Sequence, residues 1–226
     1  MKIGVLLSGC GVYDGAEIQE AVFSLLAIEE AGAEAVCLSV NKNQHHVVNH
    51  LTGEEMTESR NMMVEAARIA RGAVQDISNY DISQLDAVVI PGGFGSAKNF
   101  TSWAFDGPNG TVLPEIQEFI KKCLSVKKPI AALCVSPVVL ALALQNSDVH
   151  PTMTLGTDQE KSPYDIHTFS SGLSQTGVHA EMKTIREISI DENLKIVSAP
   201  CYMMDATVLE IRNNIQQAIQ ALIQLI

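Results

Sequence analysis

Apolar positions along this chain fall into two rhythms. Short unbroken apolar runs occur at Lys2–Leu7, Ala35–Val40, Ala87–Ile90, Ile130–Leu133 and Leu194–Ser198. Each is bounded by Gly, Pro or charged residues and predicts a buried strand. Between them, apolar residues recur three and four apart. Glu17–Ala31 carries Val22, Leu25, Leu26 and Ile28 and closes on Gly32, so it predicts a helix with a terminal glycine. The same rhythm predicts helices over Glu58–Gly72, Glu115–Ser125, Val138–Leu144 and about Thr207–Leu225. Strand, glycine-rich loop, helix, strand at the start is a βαβ unit, which makes the sheet mainly parallel. After Leu144 the pattern is less regular; Thr152–Thr157 and the alternating Thr184–Ile190 are expected as strands. No repeat or linker breaks the chain, so one α/β domain over 1–226 is expected.

One junction stands apart. The run Ile130–Leu133 meets the helix-forming Val138–Leu144 at Cys134-Val135-Ser136-Pro137, with no loop between. Such a turn lifts its residue above the carboxyl edge of the sheet, over a helix N-terminus. A thiol there is expected to favour its thiolate. The competing reading is a cysteine simply buried between Leu133 and Val135. Two other strand ends carry chemistry. Pro91-Gly92-Gly93 lets backbone N–H groups approach a ligand, and with the Val135 N–H it would form an oxyanion hole; an ordinary turn is the alternative. Glu17 and Glu20 open the first helix, where acids commonly serve its dipole. If their shared face meets Cys134, a buried Glu20 becomes a proton donor to the sulfur.

Composition narrows the classes. A net charge of −11 and a pI near 4.9 leave no surface for nucleic acid or an anionic membrane. No apolar run reaches the roughly 18 residues of a membrane-spanning helix. The run Ile3–Leu7 ahead of Cys10 is too short for a signal sequence. The five cysteines have no paired spacing, and His45, His46 and His50 lack cysteine partners. Neither disulfides nor a metal site is expected, and a cytoplasmic location fits.

Taken together, Gly15-Ala-Glu17-Ile-Gln-Glu20, Pro91-Gly-Gly93 and Ala132-Leu-Cys134-Val-Ser-Pro137 resemble the ThiJ/PfpI (Parkinson-disease deglycase-like) superfamily, related to class I glutamine amidotransferases. The likeness runs from Met1 to the last helix. It is strongest to the bacterial ElbB-type group of isoprenoid-biosynthesis glyoxalases, through Ser8–Gly15, Pro91–Gly95 and Gly156-Thr-Asp158. The resemblance implies a flavodoxin-like three-layer sandwich with Cys134 on a nucleophile elbow. It implies Cys134 and Glu20 as catalytic residues, and Gly93 and Val135 as oxyanion-hole donors. Glu17, Gly92 and His179 are candidates for substrate contact. The implied activity is glutathione-independent conversion of small 2-oxoaldehydes, glyoxal to glycolate, with no metal or organic cofactor and a homodimer as the assembly. A redox-sensing protein linked to isoprenoid metabolism is the alternative, although no residue speaks for that link. Two departures limit the carry-over. Val135 stands where intracellular proteases of the superfamily have His. Pro200-Cys201-Tyr202 stands where glutaminases place His-x-Glu, and His179-Ala180-Glu181 comes too early in the chain to replace it.

Overall fold

The computed structural model describes residues 1–226. Its centre is a seven-stranded sheet of β1 (Lys2–Leu6), β2 (Glu34–Ser39), β3 (Val74–Asp76), β4 (Ala87–Ile90), β5 (Ile130–Leu133), β8 (Ser189–Asp191) and β9 (Ile196–Ala199). In space the order is β3-β2-β1-β4-β5-β9-β8, and only the edge strand β8 runs antiparallel. β6 (Thr152–Thr154) and β7 (His179–Glu181) form a separate parallel pair. The central strands β4 and β5 are buried along their whole length, which is why they read as unbroken apolar runs.

Helix α1 (Ile18–Glu30) packs between α2 (Met62–Ile69) and α7 (Val208–Gln224), while α4 (Pro114–Ser125) packs on α5 (Pro137–Leu144). The sheet is wound outward in both directions from β1 and β4, so right-handed crossovers put these groups on opposite faces. The expected three-layer sandwich is therefore present. The strand order reverses between β1 and β4, and the crevice beyond their carboxyl ends is where such sheets bind ligands.

Local chemistry sets the helix bounds. Thr207 and Glu210 form a reciprocal capping box that starts α7. The second helix begins four residues later than the expected Glu58, because Asn61 takes the cap and accepts from the N–H groups of Met63 and Val64. Thr184–Ile190 is not one strand. The Glu187 carboxylate accepts from the Thr184 N–H and hydroxyl and closes a turn there, leaving only Ser189–Asp191 extended. Helices α3 (Trp103–Asp106) and α6 (Ile166–Gln175) are not among the expected helices: α3 is a single four-residue turn, and in α6 only Ile166, Phe169 and Leu173 mark the apolar face among polar neighbours. In α6, Gly172 lets the helix pack closely on Trp103, since a Cβ there would lie 3.1 Å from its ring. No helix is long and apolar enough to cross a membrane.

Candidate active site

Cys134 occupies the turn from β5 into α5 with φ at 56°, a left-handed conformation that costs a non-glycine residue about 1–3 kcal/mol. The surrounding hydrogen bonds hold it there. Its N–H donates to the Ala199 carbonyl of β9 at 2.9 Å, and the Ser136 N–H donates to Leu133 at 2.9 Å. The Ser136 hydroxyl does not cap α5. It donates to the Pro91 carbonyl at 2.7 Å and is itself bonded to Ser96, tying the elbow to the loop after β4.

Glu20 comes to the sulfur from the first turn of α1 and is wholly buried. One carboxyl oxygen accepts the Gly92 N–H at 2.8 Å and the other accepts the Tyr202 N–H at 3.2 Å. The carboxyl lies beside the Cys134 thiol, both of them crowding the position a Cβ at Gly92 would take. Burial, with the neighbouring Glu17 charge adding to it, pushes the Glu20 carboxyl up to about 8. Burial first and the Glu20 charge second also push the Cys134 thiol well above its ordinary range, with the Gly93 N–H pulling the other way. The expected stabilisation of the thiolate by the helix N-terminus is thus overridden: at neutral pH the resting pair holds both its protons. The two groups titrate as a unit, and the loss of one proton leaves the other shared between oxygen and sulfur.

Two backbone donors lie next to the elbow. The Gly93 N–H interacts with the thiol, and the Val135 N–H, the next in the chain, donates to no protein acceptor. Gly93 has φ at 99°, and Gly92 leaves no room for a side chain. A Cβ at Gly92 would lie 2.4 Å from the Cys134 Cβ and 2.5 Å from the Glu20 carboxyl. The Pro-Gly-Gly segment is therefore built around the thiol and the acid, beyond what an ordinary turn requires. Glu17 is the N-cap of α1, its carboxylate accepting the Glu20 N–H at 2.6 Å, and it lines the cavity over Cys134. Burial raises the Glu17 carboxyl as well.

That cavity measures about 20 Å³ and is walled by Val12, Phe94, Tyr164, Phe169, Tyr202 and Met203. Tyr164 and Phe169 were not evident in the sequence because they arrive from the irregular stretch around α6. Tyr202 reaches the site through the turn after β9, and its hydroxyl bonds to Gln19. The buried Cys201 takes the Asn214 side chain as acceptor of its N–H at 3.0 Å. His179 does not join the site. It is exposed on β7, its ring 6.4 Å from that of His150, and it lines a different surface depression. No histidine lines the Cys134 cavity. A larger surface depression of about 340 Å³, beside α4 and Tyr80, contains no cysteine or histidine.

The arrangement is a buried cysteine thiol with a buried carboxyl beside it that is raised to about 8, next to backbone N–H groups and under a small apolar cavity. The chain is similar to several known proteins. A human protein named glutamine amidotransferase-like class 1 domain-containing protein 3, mitochondrial, is 34% identical over 228 residues, 99% of this chain and 83% of the relative. A crystal structure of an isoprenoid biosynthesis protein with an amidotransferase-like domain from Ehrlichia chaffeensis superposes with a TM-score of 0.90 at 33% identity, covering 100% of this chain and 99% of that one. Glyoxalase III from Candida albicans shares the fold, with a TM-score of 0.60 at 14% identity over 98% of this chain and 97% of that one. The DJ-1/PfpI family profile matches residues 10–148, across the strands and loops that build the elbow, and the chain belongs to the DJ-1/PfpI family.

Proposed function

We propose that this protein converts small 2-oxoaldehydes to 2-hydroxy acids without glutathione, glyoxal to glycolate being the simplest case. The observation that carries this reading is the wholly buried Glu20, set beside the Cys134 thiol and held by the Gly92 and Tyr202 N–H groups. With one proton on the pair, Glu20 takes the thiol proton as sulfur attacks an aldehyde carbon, and a hemithioacetal forms. The developing oxyanion is met by the Gly93 and Val135 N–H groups and takes that proton from Glu20, which is left a carboxylate again. The Glu20 carboxylate then removes the hydrogen from that carbon and returns a proton to the neighbouring one through an enediol, leaving a thioester on Cys134. Water adds to the thioester, releasing the 2-hydroxy acid and restoring the thiol. The sum is dialdehyde plus water to hydroxy acid, with no net redox partner.

The family's protease and glutaminase chemistries fit less well, because no histidine stands beside Cys134 to act as base. The redox-sensing alternative rests on an easily ionised thiol, and burial works against one here. The test is glyoxal consumption by purified protein with no added thiol, read as glycolate formed. Turnover is expected to rise with pH through about 8, as the pair loses its first proton. No glycolate at any pH would sink the proposal.

A further inference from the structure

The cavity over Cys134 says which carbonyl compounds suit it. Its ionisable lining groups are Glu17, Cys134, Tyr164 and Tyr202, all of them acids, and no Lys, Arg or His lines it. Lys98 approaches Phe94, with its ammonium 5.2 Å from the ring centre, but donates to the Tyr13 carbonyl and is not part of the wall. A carboxylate entering here would meet the Glu17 carboxyl and no counter-charge, which is costly in an apolar enclosure. The volume of about 20 Å³ is room for one or two water-sized groups, so a long substituent does not fit.

The polar side chains around the cavity are mostly committed. Tyr202 bonds to Gln19, and Glu17 caps its own helix. The Tyr164 hydroxyl has neither donor nor acceptor in the protein. Its ring is wedged edge-on between Phe94 at 6.2 Å and Phe169 at 6.3 Å. Its backbone is pinned as well: the Tyr164 N–H donates to the Ser162 hydroxyl at 2.9 Å, and that hydroxyl donates to the Met203 carbonyl at 2.6 Å. Burial, and then the charges of Cys134 and Glu20, push the phenol up to about 12, so it remains a donor at any working pH.

We infer that the cavity takes a small uncharged carbonyl compound, and that Tyr164 holds it by donating its hydroxyl to the carbonyl oxygen that Cys134 does not attack. The inference rests on the carbonyl-converting reading above, and two assays separate their failures. In the first, glyoxal turnover is measured in the wild type and in Tyr164→Phe, and glyoxylate, which has an aldehyde for Cys134 to attack but no second carbonyl to convert, is tested as a competitive inhibitor. Its inhibition constant is expected to lie at least about tenfold above the glyoxal KM, a modest estimate for an unpaired buried charge. Loss of one neutral hydrogen bond in Tyr164→Phe is expected to raise the glyoxal KM about 3- to 10-fold with kcat within about twofold, a split that a merely structural ring would not give. Glyoxylate inhibition at or below the glyoxal KM overturns the charge selection, and an unchanged KM overturns the role of Tyr164.

The second assay needs no turnover. Alkylation of Cys134 by iodoacetamide and by iodoacetate is followed by mass spectrometry, with free glutathione thiol as the reference. The neutral reagent is expected to be preferred at least about tenfold more than glutathione prefers it, and Tyr164→Phe is expected to slow the iodoacetamide reaction about threefold. If the wild type consumes no glyoxal but shows this pattern, the carbonyl-converting reading fails and the cavity selection stands. A reagent ratio matching that of glutathione, or an unslowed variant, overturns the inference whatever the first assay gives.

Discussion

Glu20→Gln is expected to lower glyoxal turnover about 10²- to 10⁴-fold, the usual contribution of a positioned acid-base group. The amide keeps one acceptor oxygen, enough for the Gly92 N–H at 2.8 Å, but it can neither take nor return a proton. The same variant changes how stability depends on pH. The folded carboxyl keeps its proton up to about pH 8, whereas the unfolded one releases it near the ordinary value of 4.5. Between those values the folded state holds the extra proton, so the contribution of Glu20 to stability is greatest below about 4.5 and is lost as pH rises toward 8. The glutamine variant lacks that slope. Its stability relative to the wild type is expected to improve by a few kcal/mol between about pH 5 and pH 8 in urea unfolding. At the acid end the variant is expected to be the less stable, because its amide nitrogen meets the Tyr202 N–H and that bond is lost. Parallel stability curves for the two proteins would show that the folded carboxyl is not raised.

Cys134→Ala is expected to abolish turnover, leaving only the uncatalysed background, since no other thiol lines the cavity. The fold should survive it. Alanine keeps the backbone hydrogen bond to Ala199 and the same strained φ of 56°, and it removes a buried group whose ionisation was already suppressed. The wild type and the variant are therefore expected to melt within a few degrees of each other at pH 7. Full retention of glycolate formation would place the chemistry elsewhere. A large drop in melting temperature would mean that the thiol is structural, as in the alternative reading of a buried core cysteine.

The elbow was legible because two signals coincide on it: an apolar run that must be a buried strand, and a helix that follows without room for a loop. The position of Glu20 beside the sulfur was legible only through resemblance, since spacing shows that Glu17 and Glu20 are close but not where their side chains point. In the structure they diverge, Glu17 turning back to cap its helix and Glu20 reaching Gly92 and Tyr202. The ionisation of Cys134 was misjudged for a related reason. A helix N-terminus can be read from residues, but the depth of burial that outweighs it depends on Phe94, Tyr164 and Phe169, which come from separate segments. His179 shows the limit of composition: a His-x-Glu triplet was present, and strand pairing of β7 with β6 carries it to the surface. The alternation in Thr184–Ile190 was real, but Glu187 spends its carboxylate on a turn instead of a strand face.

The central claim is that Glu20 moves a proton between the two carbons of a dialdehyde bound to Cys134. Running the reaction in deuterium oxide without thiol, and examining the glycolate by NMR, tests it directly. A proton passed through an enediol by an exchanging carboxyl is expected to leave one solvent deuterium on the hydroxymethyl carbon. Glycolate without deuterium, formed at an undiminished rate by Glu20→Gln, would mean that hydrogen moved directly between the carbons, and the role given to Glu20 would be wrong.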